Sequence, residues 1–293
     1  MSNANVLYDA PGPRARRRAA IGGSLATVAL LVVIGFVIKR LADRGQFAGK
    51  LWGPLVSPAD ENFAAVWELI GKGVTATLTA AVLAIAFSII VGVVVGVARM
   101  MLGRRARMPI IGLIELLRGL PVVITIYFAS RVLPELGVNL SGMPGGGGLW
   151  YLVIGLTAYN CVIIAEIIRA GVASLPRGQG EAALAIGLTT GATMRLVLLP
   201  QAIRVMLPAL ISQLVVILKD TSLAAVLGLY IELLRQGNLI ALNLDNPIQI
   251  LSVVAVIFIL MNYSLSRVAT WVDQRSSRRT RAKPIAGVPA EVG

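Results

Sequence analysis

Long apolar runs alternate along this chain with short breaks rich in arginine, glycine or proline. Residues 19–38, AAIGGSLATVALLVVIGFVI, form the first run long enough to cross a bilayer core about 30 Å thick. Further runs cover residues 74–98, 110–133, 149–168, 203–218 and 247–268. The pattern predicts about six transmembrane helices and an all-α, polytopic membrane fold. A β-barrel is disfavoured, because the apolar residues are continuous and do not alternate in strand-length segments. Between the fourth and fifth runs lies a block of different character, EAALAIGLTTGATMRLVLLP, residues 181–200, with two charges, two glycines and a terminal proline.

The breaks carry topology. Arginines gather at 14–18, 99–107, 169–204 and 267–283, which six spans place on one side. By the positive-inside rule that side is cytoplasmic, and both termini lie there. Lys39, Arg40 and Arg44 fall on the other side, in a linker over 39–72 that also holds Pro54, Pro58, Trp52 and Trp67. The basic tail at 1–18 before an apolar run resembles a signal peptide, but KRLADRG follows the run in place of a small-residue cleavage site, so the run is read as a retained helix. The tail over 273–293 has a disordered, cytoplasmic composition.

Composition sharpens the class. The 293 residues are 57% hydrophobic and 14% charged, and the net charge is +13. In a soluble protein that charge would suggest nucleic acid. Here the arginines flank spans, so the partner it implies is membrane lipid with anionic headgroups, and no nucleic acid. There is no histidine, which excludes His-based triads, relays and metal sites. The lone Cys161 lies in an apolar run and reads as a small buried side chain. No GxSxG motif or metal cluster points to an enzyme. Gly92 and Gly96 form a small-xxx-small pair: either a seat for a neighbouring helix or two glycines in a glycine-rich chain.

Within the 181–200 block, EAALAI favours a helix with Glu181 near its start, where it suits the macrodipole. Gly187 and Gly191 interrupt it. A helical pattern resumes over 193–199, and Pro200 ends or kinks it. Two short helices with a bend between them suit a groove on a cytoplasmic partner. The block resembles the EAA loop of permease subunits of ABC-type importers, whose pattern is EAA, three residues, G, nine residues, then I-x-L-P. Glu181, Ala182, Ala183, Gly187, Val197, Leu199 and Pro200 occupy those positions, with valine for isoleucine as the one departure. Segments 112–128, 165–183 and 218–237 resemble the polar amino-acid branch of these permeases, and the likeness extends over residues 72–272. In that family five spans form the core, over 73–272 here, and the helix at 19–38 is an addition. The start of the chain, 6–18, and that helix are similar to permeases of actinobacterial glutamate uptake systems.

The resemblance implies a division of labour. Two permease subunits, identical or related, form the pathway. A cytoplasmic ABC ATPase dimer grips the EAA loops and binds ATP and Mg; an external amino-acid-binding protein delivers substrate, most simply glutamate. This chain then needs no cofactor or catalytic residue of its own, and it lacks GxxxxGK[ST]. Charges near the spans are candidates for the substrate path. Glu115 and Arg118 lie three apart and either contribute to that path or form a boundary ion pair. Lys219, Asp220, Thr221 and Ser222 either contact an amino acid's charged groups or form an internally satisfied turn. Glu166 and Arg169 read as a structural pair. A gradient-driven carrier or channel is the alternative class, and it has no need of the EAA block.

Overall fold

The computed structural model describes residues 12–278 and divides between Phe63 and Ala64 into two compact units. The first holds helix α1 (Pro13–Asp43) and the short α2 (Gly49–Val56). None of α1's residues is buried, and an apolar helix of that length with its large side chains bare is built for lipid contact. After α1 the chain turns at Gly45 (φ 68°), and the indole of Trp52 donates to the carbonyl of Gln46 at 3.0 Å. The linker expected over 39–72 is therefore partly helical.

The second unit contains α3 (Phe63–Met101), α4 (Arg104–Gly119), α5 (Val122–Glu135), α6 (Gly146–Ala173) and α7 (Arg177–Ala185). It continues through α8 (Thr190–Ala192), a π turn (Thr193–Leu198), α9 (Leu199–Asp220), α10 (Leu223–Leu227), α11 (Leu233–Leu244) and α12 (Pro247–Arg278). Among the described residues five helical segments are long and apolar enough to span, or six if α4 and α5 count as one.

Several boundaries differ from expectation. The second span's helix begins at Phe63, not near 74. The third span, expected over 110–133 with a kink at Pro121 beside Gly119, is broken into two helices: α4 and α5 meet at 108°. Pro121 explains the break, since it caps α5 with extended geometry (φ −60°, ψ 138°) and disfavours helix at Leu120. The fifth span does not begin at 203, because helix already runs from Thr190. Helix α12 continues through 273–278, so that part of the tail is helical; Arg279, Arg281 and Lys283 lie outside the described residues, as do residues 1–11. Neither α10 nor α11 was expected between the last two spans.

Helix α6 is the axis of the second unit. Leu149, Leu152, Val153 and Leu156 pack with Ala80 and Ala84 of α3, Ile126 of α5, Ile217 of α9 and Ala224 of α10. Nearer its other end, Cys161 and Val162 pack with Ile114 of α4. Because lipid offers no hydrophobic gain for helix pairing, such contacts rest on close fit and polar bonds. Both are present. A Cβ on Gly92 would lie 2.7 Å from Ile164 and one on Gly96 3.0 Å from the Ala165 carbonyl, so this small-xxx-small pair does seat α3 against α6. Deeper in the bundle, Gln213 of α9 donates to Asn160 Oδ1 of α6 at 2.6 Å, and Asn160 donates to the Leu156 carbonyl at 2.8 Å.

Candidate functional site

The 181–200 block folds as a knuckle. Helix α7 starts at Arg177, so Glu181 sits in its second turn and not at its start, as the sequence suggested. Glu181 and Ala182 are exposed, while Ala183 is buried. The helix ends in a Schellman turn: Gly187 N–H donates to the Leu184 carbonyl at 3.0 Å and Leu188 N–H to the Ala183 carbonyl at 3.1 Å. That closure needs a left-handed residue, and Gly187 has φ +88° with open space where a Cβ would stand. The glycine is required by backbone conformation and not by crowding within the chain.

Thr189 then caps α8, its hydroxyl accepting from Ala192 N–H at 3.3 Å. The helix runs on through the π turn, where Leu199 N–H donates to Met194 five residues back. Pro200 neither ends nor breaks it. Proline removes an i→i−4 bond and crowds the carbonyl of that turn, and the wider π turn just before it relieves both demands. Val197 and Leu199 are half-buried and Pro200 exposed. The pattern's second half is thus the first turns of a span, and its first half is a helix folded back against the π turn. Two large apolar side chains, Leu184 and Ile186, are left bare at the knuckle, Ile186 with 80% of its surface exposed.

The same end of the bundle carries a charge cluster. Arg99, in the last turn of α3, donates to Glu166 Oε2 of α6 at 2.7 Å. Arg169 donates from Nε to Glu166 Oε1 at 2.8 Å. The structure bears out the expected Glu166–Arg169 pair and adds Arg99 from another helix. Glu115 and Arg118 of α4 pair loosely at 3.7 Å and are both well exposed. Arg118 also lines a cleft with Tyr159 and Glu166.

Lys219, Asp220, Thr221 and Ser222 sit at the far end of α9, about 33 Å along its 22 residues from the knuckle. The structure does not bring this quartet together with Glu115 and Arg118. The Thr221 hydroxyl donates to the Leu218 carbonyl at 2.7 Å and that of Ser222 to the Lys219 carbonyl at 2.8 Å. Lys219 is exposed and Asp220 half-buried.

Sequence reasoning missed Glu232. It is fully buried and caps α11, its carboxylate accepting from Leu234 and Arg235 N–H groups at 2.8 Å each. The adjacent Leu233 N–H donates to Thr77 Oγ1 of α3 at 3.0 Å. Burial pushes the Glu232 carboxyl up to about 7, against the pull of the two backbone donors. Its signal, a lone acid just before LLRQ, is a weak capping motif. The Asn160–Gln213 bond was missed too, because the two residues lie 53 positions apart. The aromatic pair Trp150–Tyr151 ties down the loop before α6, with the indole donating to Pro144 and the phenol to Val138.

A bundle of apolar helices around α6, with a capped helical knuckle at one end, defines a polytopic membrane protein. Residues 88–278 match the family described as binding-protein-dependent transport system inner membrane component. The chain belongs to that family, among its amino-acid ABC importer permeases, which are transport subunits and not enzymes. It is 36% identical to the glutamate transport system permease protein GluD of Corynebacterium glutamicum, over 86% of this chain and 89% of that one. It is 35% identical to the glutamine transport system permease protein GlnP of Escherichia coli, over 73% of this chain and 97% of that one. A crystal structure of an amino acid ABC transporter with histidines superposes with a TM-score of 0.64 at 27% identity, covering 73% of this chain and 96% of that one.

Proposed function

We propose that this chain is the membrane subunit of an ATP-driven importer that carries glutamate into the cell. The observation that carries the reading is the knuckle. The left-handed turn at Gly187 presents bare Leu184 and Ile186 at the end of the bundle where arginines collect. Apolar side chains in such a place suit a groove on another protein. In this reading that protein is a cytoplasmic ABC ATPase, so the knuckle end and both termini face the cytoplasm. ATP and Mg are bound by the ATPase dimer. Its closure moves two knuckles, one from each of two permease subunits, and rocks the bundles between outward and inward access. An external binding protein presents the substrate. Glu181, exposed beside Ala182, contacts the ATPase, and Val197, Leu199 and Pro200 anchor the knuckle to the span that moves. Arg118 with Glu115, and the Lys219–Ser222 turn, are two separate places where the path meets the substrate. Glutamate is favoured by the likeness to a glutamate permease, which extends over 86% of this chain.

The test is purification of the tagged chain from its native membrane, followed by reconstitution with the proteins that accompany it. An ATPase should co-purify. Radiolabelled glutamate uptake should require ATP and the binding protein, with unlabelled glutamate competing better than glutamine. Gly187→Val should leave the chain inserted but uncouple hydrolysis from uptake, since a β-branched residue resists the left-handed region. Better competition by glutamine would move the substrate and leave the mechanism. A chain that comes out alone and transports without ATP would instead be a gradient-driven carrier.

A further inference from the structure

We propose that a cleft between the ends of α3, α4 and α6 binds the phosphate headgroup of an anionic membrane lipid. The cleft encloses about 470 Å³, and three arginines line it: Arg99 from the last turn of α3, Arg107 from the first turn of α4 and Arg169 near the end of α6. The rest of the wall, including Met100, Ile111 and Val172, is apolar. Glu166 pairs with Arg99 and Arg169. Three positive charges therefore face one negative, and the sum is +2 before any ligand enters. No ion pair to Arg107 is formed among the described residues.

Glu166 does more than offset charge. By gripping Arg99 and Arg169 it fixes both guanidinium planes, so an arriving phosphate need not order them. Guanidinium donors match phosphate oxygens in pairs. Depth agrees as well: Arg99 and Arg169 stand at the ends of apolar spans, the level at which lipid phosphates lie. The apolar wall beside them suits the glycerol backbone and upper acyl chain. Free phosphate or a free carboxylate would match the arginines but gain nothing from Met100, Ile111 or Val172. This inference requires only that the bundle sits in a membrane, and it holds or fails independently of the ATPase and of the substrate.

The experiment is native mass spectrometry of the purified full chain after exchange into micelles containing equal phosphatidylglycerol and phosphatidylcholine. The wild type should retain phosphatidylglycerol in excess. Arg107→Gln should cut that excess about fivefold, the effect of one cation near a lipid surface. Arg107 is exposed, so the variant should stay folded, as a monodisperse elution profile would verify. Arg107→Lys should keep most of the excess, and Arg105→Gln, outside the cleft, all of it. Equal retention of the two lipids by the wild type would overturn the proposal, and so would wild-type retention by Arg107→Gln. Displacement of the bound lipid by millimolar inorganic phosphate or glutamate would assign the cleft to a free anion and overturn it equally.

Discussion

Arg99 and Glu166, 67 residues apart in sequence, meet at 2.7 Å and join the end of α3 to α6. Arg169 holds the other oxygen of the same carboxylate. Side-chain exposure is 18% for Arg99 and 27% for Glu166, so water screens this pair less than an exposed one, and burial desolvates it less than a fully buried one. Glu166→Gln is expected to destabilise the protein by about 1–2 kcal/mol, between the two extremes. Thermal unfolding of the purified chain measures it. In a double-mutant cycle Arg99→Gln should add little once Glu166 is gone; full additivity would show that the two residues do not couple.

The Gly92 seat leaves no room for a side chain. A methyl group there meets Ile164 at 2.7 Å and the Cys161 carbonyl at 2.8 Å, and one of these is backbone. Gly92→Ala should lower stability by about 1–3 kcal/mol through overpacking. Gly112→Ala, in α4 with open space around it, should be neutral or slightly stabilising. Equal melting temperatures for the two variants would refute the close approach of α3 and α6.

Asn160 and Gln213 offer a test of polar glue. Asn160→Leu removes the acceptor from a buried Gln213 amide. The expected loss is about 1–3 kcal/mol, the cost of a stranded polar group. Adding Gln213→Leu should recover part of it, because no orphan then remains. A double variant weaker than the sum of the single ones would point to a packing role for the amides.

Glu232 makes stability depend on pH. Its folded carboxyl is raised to about 7, above the unfolded value of about 4.3. The folded state therefore holds the proton more firmly. The contribution is fully present below the unfolded pKa, falls as pH rises through the folded one, and is level beyond it. Relative to Glu232→Gln, the wild type should lose stability between about pH 4 and pH 7. Parallel pH profiles would mean that the folded carboxyl titrates at its unfolded value. Glu232→Ala removes the cap from α11 and should cost about 0.5–2 kcal/mol where the carboxyl is protonated, and less as pH rises through the same window.

The sequence by itself determined the membrane class, the number of apolar runs and the side on which charge gathers. Those properties follow from composition along a single helix and need no neighbour. It also determined the family pattern over 181–200, where Gly187 answers a local backbone need for a left-handed turn; Pro200, expected to end or kink the helix, lies instead in the first turn of a span. The i,i+3 pair Glu166–Arg169 was legible for the same reason, since one helix turn places both. Only tertiary structure decided what depends on residues far apart. Arg99 reaches Glu166, Gln213 reaches Asn160, and Thr77 accepts from Leu233, through packing that no local period encodes. The 108° break between α4 and α5 exceeded the expected kink because Pro121 sets where the chain bends, while packing on α6 sets how far. Helix α11 escaped notice because its cap, Glu232, resembles a surface acid until the bundle buries it.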